Sequence, residues 1–500
     1  MPKLHWGVCM KSKCLLLPLA FAAVLALTSC SGSNHSCTTN CTSNAIVNVT
    51  LFDIPPTGMT VLSYSLPIVG ISLTPSTGSP VSIYSPTPIV PTELTRLQTE
   101  SALLAMGVQV AAGTYTAINV TLATSGGVFV NASSSVLNST CAVGAVCLLS
   151  GGAATTVSIP VKLTLNGGQT SWIGLDVNLN NAITTPTAAT VAVDFTQANT
   201  FTATTTPRVG TPSGAFDTIG DFIGTVTALS NTSITVQNTI SGQSLTATLT
   251  SGTQFDAAPS TYSNCSSGAS CIAKGSVVSM DAALTTSSTL IATEIDVLDA
   301  AATDEVEGVI YPTTTAGIIG MILADKTSTG GSPTLGAATT TYGTGIFVGA
   351  SPTINFVIDT KNLTNNPGIP PIGFSGSGDL LAGQQIRAHV TGVATVTSSG
   401  IATIQATATN VLLRWSRISG SINTASLNLF TMTGIPQYIS SLNPTLSLTP
   451  LVTTYTNGTL FDGVTGTTDP NFAVGKPVAI RALYLNNPAQ PFQAAKVRVP

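Results

Sequence analysis

Charge is scarce in this chain: Lys and Arg number 16 and Asp and Glu 20 among 500 residues, 7% of the whole against the roughly 25% usual in soluble domains. The formal net charge is −4 and no block of like charge occurs. A partner held through its phosphate backbone needs a basic face, so nucleic acid is not an expected partner. Aromatic residues make up 5%, with 3 Trp, too few for the stacking platform that single-stranded nucleic acid requires. Histidine numbers 3, and only His389 lies in the part expected to fold. No G-x-S-x-G elbow, H-E-x-x-H pair, Walker loop or Rossmann fingerprint is present. These absences remove the common catalytic and cofactor-binding constellations, and no cofactor is expected. Long hydrophobic runs are missing too, apart from Leu15 to Leu27 near the amino terminus.

That run follows the basic residues Lys3, Lys11 and Lys13 and precedes the small pair Thr28-Ser29, the arrangement of a secretory signal. A transmembrane helix would need roughly 20 apolar residues and would not carry Pro18. Leu27-Thr28-Ser29-Cys30 resembles the lipobox of bacterial lipoproteins, in which the cysteine is lipidated and becomes the first residue of the mature chain. The resemblance implies lipidation at Cys30 and membrane attachment through acyl chains, two or three of which anchor stably where one does not. Ser31 stands where Asp would favour inner-membrane retention, so the resemblance implies the outer membrane, with the folded part facing the periplasm or the cell surface.

Of 9 cysteines, Cys9 and Cys14 leave with the signal and Cys30 carries lipid. The remaining six fall into near neighbours, Cys37 with Cys41, Cys141 with Cys147 and Cys265 with Cys271. In an exported chain this predicts three local disulfides that pin loops. Zinc would need four converging ligands, with only His389 to add, so no metal site is expected.

Hydrophobic residues make up 43% of the chain, and apolar residues alternate with Thr and Ser in short runs bounded by Gly, Pro and Asn. Ser233-Ile-Thr-Val-Gln and Ser244-Leu-Thr-Ala-Thr-Leu are examples. Such period-two runs of stiff β-branched residues predict strands. One stretch reads as a helix, Glu93 to Met106, with Leu94, Leu97 and Leu104 near one face behind Pro91-Thr92. Otherwise the chain reads as all-β: a signal (1–29), a polar tether (30–44), an N-terminal β-sandwich-like domain (45–205) and three small β-barrel-like repeats (218–300, 304–413 and 414–500).

The first domain carries Val47-Asn-Val-Thr-Leu-Phe-Asp53 before Pro55-Pro56, Pro67-Ile-Val-Gly-Ile-Ser-Leu73, and Ala112-Gly-Thr-Tyr-Thr-Ala-Ile-Asn-Val120. On these marks it resembles a bacterial lipoprotein-associated domain, domain of unknown function family 4382, which carries no established activity. The family pattern has Arg where this chain has Asn119.

The remainder repeats itself. The openings are Phe222-Ile-Gly-Thr-Val226, Val306-Glu-Gly-Val-Ile310 and Ile418-Ser-Gly-Ser-Ile422. Strands led by glycine follow at Gly275-Ser-Val-Val-Ser-Met280, Gly383-Gln-Gln-Ile-Arg-Ala388 and Gly475-Lys-Pro-Val-Ala-Ile480. The closing strands align without a gap: Leu290 to Val297, Ile404 to Val411 and Phe492 to Val499. The middle copy is longer, with an insertion expected within 327–352 or 362–378. The order of elements, including Thr253-Gln-Phe255 and Thr459-Leu-Phe461, resembles domain of unknown function family 5666, and implies a compact five- or six-stranded barrel of oligonucleotide-binding type without implying nucleic-acid binding.

Few residues invite chemistry. His389 lies in a repeat strand where the other copies place Asp281 and Arg481, which reads as a partly exposed strand histidine, not the base of a Ser-His-Asp hydrolase. Glu294, Asp296, Asp299, Asp304, Glu305 and Glu307 straddle the first repeat junction, read as a solvated joint, since calcium would need roughly six to eight converging oxygens. Arg414-Trp415-Ser416-Arg417 is the most conspicuous polar-aromatic cluster. An exposed Trp415 flanked by Arg414 and Arg417, or Trp172, could stack on a glycan or protein ligand. The expected function is a lipid-anchored structural or binding protein of the cell envelope, without catalytic activity. Carbohydrate or peptide capture at the surface is the alternative, and a divergent hydrolase a third reading.

Overall fold

Strand Ala45–Ile54 buries Ala45, Val47, Val49 and Leu51 completely, the period-two pattern that puts alternate side chains on one face. It pairs in parallel with Thr170–Asn178, whose Ile173, Leu175 and Val177 join the same core, and antiparallel with Ala102–Val110. Phe201–Thr204 completes a 4-stranded sheet. Facing it is a 7-stranded sheet built around the long strand Thr60–Pro75 and its partner Gly113–Leu122. Tyr64, Leu66, Ile71 and Leu73 from the first and Ile118 and Val120 from the second fill the space between. The N-terminal domain is thus a β-sandwich. The computed structural model describes residues 43–54, 60–131, 141–187, 190–208, 210–257, 269–311, 317–337, 345–358, 363, 373–395, 402–456 and 458–499.

Of the three expected disulfides, the one between Cys141 and Cys147 is formed. Cys30, Cys37, Cys41 and Cys265 lie outside the described residues, and with them the expected lipidation and the expected pairings of Cys37 with Cys41 and of Cys265 with Cys271.

The helix expected over Glu93 to Met106 is not formed. Leu94–Gln98 makes one short 3-10 segment, and Ala102–Val110 is a strand of the sandwich. The i, i+3 spacing of Leu94 and Leu97 suits the threefold 3-10 period, and both are buried. From Ala102 onward, tertiary pairing with the first strand overrides helical propensity. The Glu93 carboxylate caps this turn, accepting from the Thr95 N–H at 3.2 Å.

Each repeat closes a five-stranded barrel. In the first, the opening strand Ala215–Leu229 is followed by Ser233–Gln237, Ser244–Thr248, the glycine-led strand Val277–Thr285 and the closing strand Leu290–Asp299. The opening strand pairs with the second and the glycine-led strands, and the third pairs in parallel with the closing strand. The second barrel repeats this order with Asp304–Tyr311, Ile318–Ser328, Gly345–Ile358, Gln385–Thr395 and Ala402–Leu413. The third uses Ser416–Ser426, Leu429–Thr433, Leu451–Thr453, Pro477–Tyr484 and Phe492–Arg498. The short Thr-x-Phe strands Gln254–Ala257 and Leu460–Asp462 add to the closing strands of the first and third barrels. In the second barrel the long strand Gly345–Ile358 runs along the whole closing strand and takes both places.

The repeated glycines have a steric cause. A Cβ at Gly224, Gly308 or Gly420 would lie 2.2, 2.1 or 2.7 Å from the carbonyl oxygen of Gln237, Ile322 or Thr433 on the neighbouring strand. Only glycine permits that backbone approach. The leading glycines Gly275, Gly383 and Gly475 have φ of +96°, +91° and +84°, the left-handed region that side chains disfavour.

Apolar clusters cross the domain boundaries. Leu62, Val128 and Val130 of the sandwich share a core with Ile418, Phe430 and Ile480 of the third barrel, and Leu103 and Trp172 share one with Ile219 and Val278 of the first. Ser43–Pro500 accordingly forms one compact unit. Among the described residues no helix is long and apolar enough to cross a membrane.

Candidate functional site

Most of the buried ion pairs gather where the four domains meet. Asp221 is the hub. It sits at a bulge in the first opening strand with φ +54° and is 2% exposed. Its carboxylate accepts from Arg414 Nη2 and Arg417 Nη2, each at 3.0 Å, and from the Ser279 hydroxyl. Its backbone carbonyl accepts from Arg96 Nη2 of the sandwich at 2.6 Å, and its N–H donates to Asp281. Glu100 of the sandwich accepts from Arg417 at 2.6 Å and Arg481 at 3.3 Å, and Arg481 also reaches Asp281 at 3.2 Å. In the second barrel Arg387 is fully buried between Glu305, at 2.8 Å, and Glu307, at 3.3 Å. Arg96 bridges to Asp325 at 3.3 Å.

The repeat explains how such a layer arises. Equivalent strand positions hold Asp221, Glu305 and Arg417, and again Asp281, His389 and Arg481. The closing strands place Glu294, Ala408 and Lys496 at a third position and Asp296, Asn410 and Arg498 at a fourth. The same face is therefore acidic on the first barrel, mixed on the second and basic on the third. In the third barrel Arg417 lies opposite Arg481 and Arg481 opposite Lys496, like-charge neighbours that repel. In the first, Asp281 lies opposite Glu294. The second barrel pairs Glu305 with His389 and Glu307 with Arg387 across its own strands. The first and third barrels offset each other's charge where they dock; the second pairs Glu305 and Glu307 with its own His389 and Arg387 and takes Arg96 of the sandwich on Asp325.

This corrects the reading of the first junction as a solvated joint. Asp296, Asp299, Glu305 and Glu307 are all between 0% and 3% exposed; cations distant in sequence lie against them, Arg387 and His389 of the second barrel at Glu305, Glu307 and Asp299, and Arg414 at Glu307. His389 Nε2 lies 2.7 Å from Glu305 Oε1 and 4.0 Å from Asp299 Oδ2. These three could offer one ligand atom each within 4.8 Å of one another, but Arg387 already supplies the positive charge to Glu305. Burial pushes the His389 imidazole down, and the hydrogen bond and charge of Glu305 with Asp299 outweigh it, leaving the pKa above the usual histidine value. Burial pushes Glu305 up, and Arg387 and His389 outweigh that, holding it below the usual range. The arrangement is a charged clamp between the end of the first barrel and the start of the second.

A stability contribution follows with a definite sign. A histidine whose folded pKa is raised contributes fully below the unfolded value of about 6.5 and loses that contribution as pH rises through the folded value. His389→Gln is expected to remove this part of the decline in stability above about pH 6.5, measured by urea denaturation across pH; an unchanged slope would show that the imidazole does not carry the clamp.

The expected aromatic ligand contacts are overturned by burial. Trp415 is 0% exposed and shares a core with Leu483 and Leu485 of the third barrel and Ile386 of the second. Trp172 is 1% exposed, and its Nε1–H donates to Thr50 Oγ1 at 2.9 Å, which donates onward to Asp217 at 2.7 Å. Its indole lies over Gly174, where a Cβ would come within 2.5 Å. Neither ring offers a face to a ligand. Arg414 and Arg417, also expected near a ligand, are instead members of the ionic layer, with side chains 1% and 5% exposed. Asp221, Glu100 and Arg96 were not singled out by sequence reasoning. The available signal was the change of charge sign at matched repeat positions, of which the alignment of Asp281, His389 and Arg481 is one case.

A second group of buried charges lies where the sandwich meets the first and third barrels. Arg208 and Arg498 stack over the Phe52 ring at 4.0 and 4.9 Å, and Arg498 Nε reaches Asp462 at 3.1 Å. Asp176, beside Phe52 in register, is pushed up to about 7 by burial despite the charges of Arg498 and Arg208. Asp53 is 3% exposed, and neither of its carboxylate oxygens has a hydrogen-bond partner.

No protein-family model matches the chain, and no curated protein matches it. Among solved structures, one described as drosophila Unr CSD456 is similar at 10% identity over 56% of this chain and 97% of its own, with a TM-score of 0.11; a superposition this poor carries no argument.

Proposed function

We propose that this is a lipid-anchored cell-envelope protein with a structural or binding role and no catalytic chemistry. The observation that carries this reading is the use of charge: Arg96, Arg387, Arg414, Arg417 and Arg481 are bonded to Glu100, Asp221, Asp281, Glu305, Glu307 and Asp325 inside the domain junction. Groups held in this way build a rigid body rather than a reaction centre. The lipobox at Leu27 to Cys30 and the polar stretch Ser31 to Asn44 supply an anchor and a tether. The resemblance of the sandwich and barrels to domains of unknown function families 4382 and 5666 belongs to the same reading, as does an outer-membrane location. Local disulfides joining Cys37 to Cys41 within the tether and Cys265 to Cys271 within the first barrel belong to it too.

The test is the anchor. In cells fed a labelled fatty acid, the chain is expected to take up label and to partition with membranes, and Cys30→Ala to lose both; a Cys30→Ala variant still labelled would refute lipidation there. Treating intact cells with a broad-specificity protease and blotting for the third barrel then decides orientation, since loss of signal places the barrels outside and survival until permeabilisation places them in the periplasm.

A further inference from the structure

The first and third barrels carry equivalent rows of residues across three neighbouring strands. In the first barrel the row is Asp281, Glu294 and Gln254; in the third it is Arg481, Lys496 and Leu460. At one end the rows touch, where Arg481 Nη2 reaches Asp281 at 3.2 Å. Beside this contact is a cavity of about 300 Å³, with Asp281, Glu294 and Gln254 on one wall and Arg481 and Leu460 on the other. That volume is at the lower edge of small-molecule sites, roughly 300 to 1,000 Å³. The contact end is buried, but Gln254 and Leu460 at the far end of the rows are exposed and Glu294 between them is half-buried, so solvent reaches the cavity from that side.

Charge selects what such a cavity can hold. Its wall sets two carboxylates, Asp281 and Glu294, against one guanidinium, Arg481. The carboxylates come from directly opposed positions on antiparallel strands, where like charges repel. Arg481 does not settle that repulsion, because it is shared with Glu100 at 3.3 Å and Asp221 at 3.7 Å. Lys496, the equivalent of Glu294, sends its Nζ to Thr218 at 3.5 Å and is not part of the described wall. A cation entering the cavity therefore meets surplus negative charge, an anion meets repulsion, and a neutral molecule gains from neither. Gln254, with Thr293 and Thr456, which are exposed and line the same cavity, adds oxygen acceptors for the three N–H donors of an ammonium group. Leu460, 58% exposed, and Ala495 give the wall an apolar side, which suits methylene groups and has nothing to offer a bare metal ion.

We infer that this cavity binds a small primary alkylammonium, with its nitrogen at Glu294 and its chain along Leu460 and Ala495. The inference gives a ligand class to the binding role proposed above and rests on that role, but it is tested on the purified chain, so failure to bind and failure to be lipidated at Cys30 are separate results. Three probes of one length and different charge are titrated at pH 7 by isothermal calorimetry and ligand-observed NMR. Pentylammonium is expected to bind saturably at one site with a Kd on the order of 1 mM, and 1-pentanol about tenfold more weakly. Pentanoate is expected not to saturate. Glu294→Gln removes a half-buried charge and is expected to weaken pentylammonium about tenfold, to the level of 1-pentanol, with the melting temperature kept. Thr456→Trp, which fills the cavity from its exposed end, is expected to abolish binding of both; should Glu294→Gln fail to fold, this variant and the pentanol comparison decide. Pentylammonium that does not saturate by about 10 mM, 1-pentanol or pentanoate binding as tightly, or pentylammonium binding unchanged by Thr456→Trp or by a folded Glu294→Gln would overturn the assignment.

Discussion

Arg481→Met is expected to destabilise the protein by about 3–5 kcal/mol, the cost of removing one partner from a buried ion pair. The side chain is 2% exposed and reaches Glu100 of the sandwich and Asp281 of the first barrel, so its loss leaves two carboxylates facing each other in low dielectric. Its effect on cooperativity is as large. Because Glu100, Asp221, Asp281, Arg417 and Arg481 join sandwich, first barrel and third barrel, the intact chain is expected to unfold in urea in one transition and the variant in two or more. Asp281→Asn in the same chain is expected to recover at least half of the loss, since it removes the unpaired charge rather than adding an attraction. A cost below about 1 kcal/mol for Arg481→Met, the value of a surface pair, would mean that water reaches the layer and that the apolar clusters alone hold the domains.

Asp176→Asn is expected to do the opposite and stabilise, by roughly 2–4 kcal/mol at about pH 8. Burial raises the Asp176 carboxyl to about 7, so over the window from about pH 4 to about pH 7 the folded chain holds a proton that the unfolded chain has released. Stability therefore falls as pH rises through that window. Asparagine cannot ionise and escapes the fall, and its gain is expected to vanish at about pH 3, below both values. Asp53 shifts the same way, raised first by burial and then by the charge of Asp176, as do Glu93, Asp217 and Asp325, the last raised by burial to about 6 against the pull of Arg96. The chain as a whole is expected to be most stable on the mildly acidic side. Denaturation midpoints at the two pH values check this: an equal gain at both would assign the effect to packing, and no gain at either would show the carboxyl to be solvated.

The architecture was legible where a periodicity or a repetition carried it. Alternation in Ser233–Gln237 and Ser244–Thr248 marked strands because a half-buried strand must alternate. The repeated glycines marked real backbone constraints, the approach of Gly308 to Ile322 and the left-handed turn at Gly383 among them. Glu93 to Met106 misled because Leu94, Leu97 and Leu104 satisfy a helical spacing and a 3-10 turn followed by a strand equally well, and the choice is made by the distant strand Ala45–Ile54. Trp415 and the carboxylates around Glu305 misled for a related reason. Exposure is a property of what packs on a residue from outside its own segment, and Arg387 and Arg414 come from 80 or more positions away. The site was half legible: Asp281, His389 and Arg481 were placed in one column, but that the column is a contact between copies required the fold.

The last strand has a consequence for how the chain is made. Arg498 Nη1 donates to the carbonyls of Leu97 and Glu100, at 2.9 and 3.0 Å, so the final strand seals a segment near the start of the sandwich. A chain that emerges amino terminus first presents Glu100, Asp221 and Asp281 long before Arg417 and Arg481 arrive to cover them, and domains that fold as they appear must wait for the third barrel to dock. A product cut short before Gly475 would lack Arg481, which reaches both Glu100 and Asp281, and would leave the acidic half of the layer short of positive charge. The third barrel is thus the cover of the ionic layer: Glu100 and Asp281 meet Arg481 only once that barrel has docked.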